Sequence, residues 1–275
     1  MQTTLNLGIR AVGTRIPLIP AYPGRKKNYF DLICGDRPWP SLIEPFVGSG
    51  ITALRLGARE TAIADVGDCY QIWNAWASGQ WPDVRNQVQR WQTAIALQSA
   101  PTPKELPLWA EIKHHYSNGV PSSTAAIAAA WLLRAVSYGN MARTNKFGGW
   151  NVPLDNDKIR SFLSKPVPSP PPLQGRWQVG HGWDDCLSLY QDRGTDQETI
   201  ALVDPPYFFP LAEMPQGLRM TGTYPGHDPH DPELLEMVGR CLRNLSALPS
   251  VKRIEAFNYG SIQMAQMVET IARCH

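Results

Sequence analysis

Four consecutive residues, Asp204-Pro205-Pro206-Tyr207, bring together a carboxylate, a stiff backbone and an aromatic ring. Such a set can grip a flat heterocycle that bears an exocyclic amine. The Asp204 carboxylate accepts one N–H, the Pro205 carbonyl accepts the other, and the Tyr207 ring stacks on the heterocycle's face. With both N–H groups held, the nitrogen lone pair is pushed out of plane toward an electrophile. Asp-Pro is also an ordinary turn signal, so the chemistry requires the rest of the chain to deliver a second reactant. The residues just before it, Ile200–Val203, are a continuous apolar run that reads as a short buried strand. The two prolines end that strand and leave Asp204 and Tyr207 at its carboxyl end, the edge where open α/β sheets hold ligands.

A second group of residues has the spacing of a cofactor loop. Ser41-Leu42-Ile43 reads as a strand and runs into Glu44-Pro45-Phe46-Val47-Gly48-Ser49-Gly50, followed by helical spacing through Ile51, Leu54 and Leu56. Glycines at 48 and 50 are expected to let a ligand approach the backbone closely. Thr61–Ala64 then reads as a second strand ending in Asp65, an acid placed to bind ribose hydroxyls. No Lys-Ser/Thr pair follows the glycines, so this is not a phosphate-binding P-loop. Ala53 stands where a dinucleotide fingerprint has its third glycine, a tolerated variant that keeps a nicotinamide enzyme open at this point.

A third group is polar. Tyr138 to Pro153 contains Asn140, Arg143, Asn145, Lys146 and Asn151, with Tyr138 and Trp150 flanking and Gly148-Gly149 marking a hairpin. These side-chain types read base edges and phosphates. Plain loops share the composition.

The elements that position these groups can be read in outline. Residues 70–135 are mainly helical: Ile72, Trp73 and Trp76 begin one segment, and Val84, Val88, Trp91 and Ile95 share one face of the next. The tryptophans read as core. Trp109–Tyr116 is a short helix whose adjacent His114 and His115 point apart, which argues against a metal site. Ser122-Ser123-Thr124 caps an alanine-rich helix running to about Ala135. Lys165–Pro172 is a stiff linker, Trp177–Val179 a strand leading into Gly182–Cys186, Pro232–Leu245 a helix, Ile254–Phe257 a strand and Ile262–Ala272 a last helix. A short helix is also expected around Tyr29, Leu32 and Ile33.

At 275 residues the chain can hold one large domain, or one domain with an insertion. No apolar run is long enough to span a bilayer, the first ten residues lack a signal-peptide core, and the five cysteines include no C-x-x-C pair. These features point to a reducing, cytoplasmic setting, without membrane or metal. Net charge is +2, unevenly spread. Residues 1–67 carry 8 basic and 5 acidic side chains, 68–180 carry 11 and 6, and 181–275 carry 7 and 13. The basic middle is a modest pointer to a polyanion.

Taken together, these motifs resemble the DNA adenine-N6 methyltransferases of the Dam type. Tyr22-Pro23-Gly24-Arg25-Lys26 looks like the family's first cofactor motif, Glu44–Gly50 like its Glu-Pro-Phe-x-Gly-x-Gly loop, and Asp204–Tyr207 like its catalytic motif. Asn140–Pro153 is similar to its DNA-reading hairpin, with Gly148–Pro153 as the closing element. The resemblance covers roughly residues 20–260. It departs at Arg25, where a glycine is usual, at Phe208-Phe209, and after Phe257, where the family's sheet continues into an antiparallel hairpin.

The resemblance implies an α/β, Rossmann-like S-adenosylmethionine-dependent methyltransferase fold with an inserted, mainly helical DNA-recognition domain carrying a β-hairpin. On this reading residues 1–67 and 173–275 form the catalytic domain and 68–172 the insertion. S-adenosyl-L-methionine would be held by Tyr22, Lys26, Glu44, Phe46, Gly48, Gly50, Asp65 (on the ribose), Asp185 or Asp184 (on its adenine) and Asp204. Catalysis would fall to Asp204, Pro205, Pro206 and Tyr207, with neither a metal nor a covalent intermediate needed. Double-stranded DNA would meet Tyr138, Asn140, Arg143, Asn145, Lys146, Asn151 and Pro153, with the target adenine flipped out of the duplex. GATC is the sequence that the hairpin's likeness points to. The protein is expected to be a monomer or weak dimer, with or without a restriction partner. The competing readings are a cytosine-N4 methyltransferase, a DNA-binding homologue without catalysis, and a nucleotide-dependent oxidoreductase. Asp at position 204 disfavours the first, the retained Asp204, glycines and Asp65 the second, and the Asp-Pro-Pro-Tyr motif the third.

Overall fold

The computed structural model describes residues 39–98, 102–140, 142–145, 147–169, 175–192, 196–205 and 232–256, together with Pro20 and Leu173. The expected short helix near Tyr29 and the last helix at Ile262–Ala272 lie outside these residues.

Five strands, all parallel, form one sheet in the order β3-β2-β1-β4-β5. They are β1 (Ser41–Glu44), β2 (Glu60–Asp65), β3 (Arg176–His181), β4 (Thr199–Val203) and β5 (Val251–Ala256). The helices are α1 (Ile51–Leu56), α2 (Gly67–Ala77), α3 (Trp81–Leu97), α4 (Leu108–Asn118), α5 (Thr124–Ala135), α6 (Asn156–Leu163), α7 (Trp183–Gln191) and α8 (Pro232–Ser246). This is an α/β architecture whose strand order is compatible with a Rossmann-like fold.

The three central strands, β2, β1 and β4, are buried along their middles because both faces of the sheet are covered there, whereas the outer strands β3 and β5 carry polar residues and are only partly buried. Leu42, Ile63, Ile200 and Leu202 point into one cluster; their alternates Ile43, Ala62, Ala64, Ala201 and Val203 point into another, with Cys186 and Leu187 of α7 and Val238, Cys241 and Leu242 of α8. Helices α2 to α6 fall between β2 and β3 in the chain. Their apolar side chains, among them Trp73, Trp81, Val84, Ile112, Ile127 and Leu132, belong to the same cluster as Leu42 and Ile63. The segment set apart on sequence as 68–172 is thus joined to the sheet by one continuous core.

Local signals explain how the helical segment is tied down. Ser123 Oγ accepts the N–H of Ala126 at 3.2 Å and starts α5, and Asp155 Oδ1 accepts from Asp157 and Lys158 and starts α6. The linker after α6 lies along α3: Gln92 Nε2 donates to the carbonyls of Phe162 and Lys165, and Arg85 Nε to that of Val167. Arg134 of α5 and Asp68 of α2 form a bidentate ion pair, 2.7 Å at both bonds, with Arg134 only 3% exposed. No described helix is long and apolar enough to cross a membrane.

Candidate functional site

The turn after β1 is fixed from two sides. Gly48 donates its N–H to Asp65 Oδ2 at 2.6 Å, and its carbonyl accepts the indole N–H of Trp73 at 2.9 Å. Val47 N–H bonds to the Ala64 carbonyl at 2.8 Å, which pins the turn to the end of β2. Gly48 and Gly50 have φ of 50° and 65°, in the left-handed region where a side chain is strained. A Cβ on Gly50 would lie 1.9 Å from the Trp73 ring. The space that the missing Gly50 side chain leaves is thus filled by the Trp73 ring.

Asp65 ends β2 and is half-buried. Besides Gly48 it accepts the N–H of Val66 through Oδ1 at 2.7 Å. Burial raises its pKa from 3.8 to about 6, although both amide hydrogen bonds and the Arg134 guanidinium act to lower it. The Asp65 carbonyl also accepts Gly182 N–H at 3.0 Å, so the ends of β2 and β3 are tied together. Asp184 and Asp185 stand in the first turn of α7, both exposed, and Asp185 Oδ2 accepts the N–H of His181 at 3.1 Å. Both acids thus belong to a helix start. His181 in turn meets the ring of Tyr70 edge-on, 4.9 Å between centroids.

On the other side of β1 lies β4, in register Ser41 to Thr199, Leu42 to Ile200 and Ile43 to Ala201. The strand order reverses direction between β1 and β4, and crevices at such points are where α/β sheets bind ligands. Glu44 closes β1 and is 5% exposed; Phe46 packs into the second core cluster. Asp204 directly follows β4 and is half-buried, and Pro205 is buried. Glu44, Asp65 and Asp204 thus stand at the carboxyl ends of three neighbouring strands. Tyr22, Lys26, Pro206 and Tyr207 lie outside the described residues.

The polar stretch after α5 folds back on itself. Ser137 bridges Leu154 and Thr144 bridges Trp150, both antiparallel. Asn151 N–H bonds to the Arg143 carbonyl at 3.0 Å, and Tyr138 N–H to the Pro153 carbonyl at 2.9 Å. Asn145 Oδ1 accepts the N–H of Phe147 and of Gly149, so that side chain builds the turn. Trp150 is buried against Tyr116 of α4, ring centroids 5.3 Å apart. Tyr138 is 59% exposed, Asn151 and Pro153 are exposed, and Arg143 Nε is buried with no hydrogen-bond partner among the described residues. Asn140 contributes backbone to a 3₁₀ turn, Tyr138–Asn140, and Lys146 lies outside the described residues.

Arg134 links the two regions electrostatically. Its charge acts on Asp65 at the sheet edge and on Tyr116, whose hydroxyl burial raises well above the ordinary phenol range. Trp73, Tyr70 and His181 escape sequence reading. Trp73 gives only the periodic signal of a core residue, and nothing in its spacing reports the bond to Gly48.

No protein-family model matches this chain, and no curated protein does either. Among the described residues no group of three or more His, Cys, Asp or Glu side chains is placed to hold a metal ion.

Proposed function

We propose that this chain is an S-adenosylmethionine-dependent DNA methyltransferase acting on N6 of adenine. The observation that carries the reading is the pairing of β1 with β4, with the Glu44–Gly50 turn leaving one strand end and Asp204-Pro205 the next. A cofactor turn and an amine-gripping motif on adjacent strand ends at a switch point suit a transfer between two bound partners.

The residues fit the cofactor. Asp65 accepts two amide hydrogens, and a carboxylate has about four acceptor sites, which leaves capacity for ribose hydroxyls. The exposed Asp185 and Asp184 beside it offer acceptors for an exocyclic amine. The cofactor would supply a methyl group already activated on a sulfonium. The chain's part is then orientation and polarisation. Asp204 and the Pro205 carbonyl take the two hydrogens of the adenine amine, and Tyr207 gives the extruded base a stacking surface. The turn bearing Tyr138, Arg143 and Asn151 supplies the DNA contacts. In the family that the sequence resembles, this is the DNA-reading hairpin.

Incubating the protein with methyl-labelled S-adenosylmethionine and plasmid DNA tests this. The expected result is label in N6-methyladenine. A stable DNA complex without label would mean a binding protein, and label in N4-methylcytosine would move the substrate to cytosine.

A further inference from the structure

A cavity of about 210 Å³ opens between α5, α6 and the proline-rich linker that follows α6. Much of its wall is rings: Trp131 from α5, Phe162 from α6, and Pro166 and Pro168 from the linker. Lys158, Ser161 and Lys165 supply the polar part, and among the described residues no acidic side chain belongs to the lining. None of these residues stands at the strand ends that carry Glu44, Asp65 and Asp204. A surface hollow by itself is no site, but two observations mark this one.

The first is a wall that is already fixed. A proline-rich stretch ordinarily leaves its backbone carbonyls to water. Here the carbonyls of Phe162 and Lys165 accept from Gln92 Nε2, both at 2.7 Å, that of Val167 from Arg85 Nε at 3.1 Å, and that of Pro168 from Trp81 Nε1 at 3.4 Å. All three donor residues belong to α3, and the Val167 side chain is buried. The linker is therefore held in place before any ligand arrives. Binding pockets for small molecules are of this kind, largely preformed and mostly apolar with a few placed polar groups.

The second is the polar group. Lys165 Nζ donates to Ser161 Oγ at 2.6 Å. A hydroxyl that accepts in this way keeps its own hydrogen to give, and an ammonium has three. The pair thus presents two adjacent donors to an anion. Lys158 adds a second positive charge, its ammonium anchored on the Ser137 carbonyl at 2.6 Å. Asp155, whose charge acts on Lys158, has Oδ1 engaged by the two amides that start α6.

We infer that this cavity binds a small aromatic anion, its ring against Trp131, Phe162 and the two prolines and its charged group on Lys165 and Ser161. The volume sets the size. Sites for drug-sized ligands begin at about 300 Å³, so one ring with its acid group fits here and a nucleotide does not. The inference is independent of the methyltransferase reading.

Calorimetric titration of the full chain with benzoate, phenyl phosphate, benzamide and acetate tests this. Benzoate and phenyl phosphate are expected to bind, and the tighter of the two identifies the acid as carboxylate or phosphate. Benzamide lacks the charge and acetate lacks the ring, and each should bind about 10-fold more weakly or worse. Lys165→Gln should weaken benzoate by a similar factor, and Ser161→Leu, which fills the cavity, should abolish binding. Thermal melting checks that both variants fold. If Ser161→Leu does not, Lys165→Gln decides, because that side chain is exposed. Benzamide binding as tightly as benzoate, unchanged benzoate affinity in Lys165→Gln, or no binding of either anion overturns the inference. Displacement of benzoate by a short DNA duplex would give the lysines to backbone phosphates and overturns it as well.

Discussion

The indole N–H of Trp73 and the carbonyl of Gly48 are hydrogen-bonded at 2.9 Å across 25 residues of chain, and the bond is buried. A side chain that reads on sequence as core therefore shapes the turn between β1 and α1. On the other side of the same residue, in the preceding peptide, Asp65 takes the Gly48 N–H. The conformation of that glycine is set by one group from α2 and one from β2.

Replacing Trp73 with Phe keeps most of the packing and removes the donor. The Gly48 carbonyl then loses a partner, at a cost of about 1–3 kcal/mol. We expect a moderate drop in melting temperature and a larger drop in S-adenosylmethionine affinity, measured by calorimetry. Unchanged cofactor affinity would detach Trp73 from the site.

Asp65 makes stability depend on pH in a direction opposite to most carboxylates. Its folded pKa of about 6 lies above the ordinary 3.8, so between those values the folded protein binds more protons than the unfolded chain. Stability contributed by this group is present below about pH 4 and is lost as pH rises through 6. Urea denaturation of wild type and Asp65→Asn across pH 4 to 7 checks the sign. The difference between them should move in favour of Asp65→Asn as pH rises; a flat difference would contradict the assignment.

The Arg134–Asp68 pair is buried, and breaking it by Asp68→Ala leaves a charge without its partner. A destabilisation of about 3–5 kcal/mol is expected, read as a shift in the denaturation midpoint. Replacing both residues by apolar ones of similar volume should restore much of it. If the single and double variants are equally unstable, the loss belongs to packing and not to the orphaned guanidinium.

Asp204→Ala is expected to abolish methyl transfer while leaving S-adenosylmethionine binding measurable. Asp204 follows β4 and does not form part of the turn after β1, so the two functions should separate. Full activity in that variant would remove Asp204 from the chemistry.

Strands β1, β2 and β4 are legible in sequence because each is a short apolar run ended by Glu44, Asp65 or Asp204-Pro205. Helix α5 is legible because Ser123 caps an alanine-rich run. Periodicity reports which side chains face inward but not what their polar atoms touch. That is why neither the bond from the Trp73 N–H to Gly48 nor the two backbone amides held by the Asn145 oxygen can be read in the sequence. The same holds at Gly50: a glycine signals close approach without naming what approaches, and on the side of its missing Cβ that is the Trp73 ring. The start of α7 carries no signal like that of Ser123, because Gly182, at φ 95°, precedes the helix without a side chain to cap it.

The single interior shared by the sheet and helices α2 to α6 bears on how such a protein can diversify. Among the described residues, Trp73, Trp81 and Ile127 share one cluster with Leu42 and Ile63 of the sheet, so exchanging the 68–172 stretch as a cassette would strip them of those neighbours. Change is cheaper at the rim, where Asn145 and Phe147 are exposed and stand clear of that interior. New preferences would accumulate there one side chain at a time, on a scaffold that stays as it is.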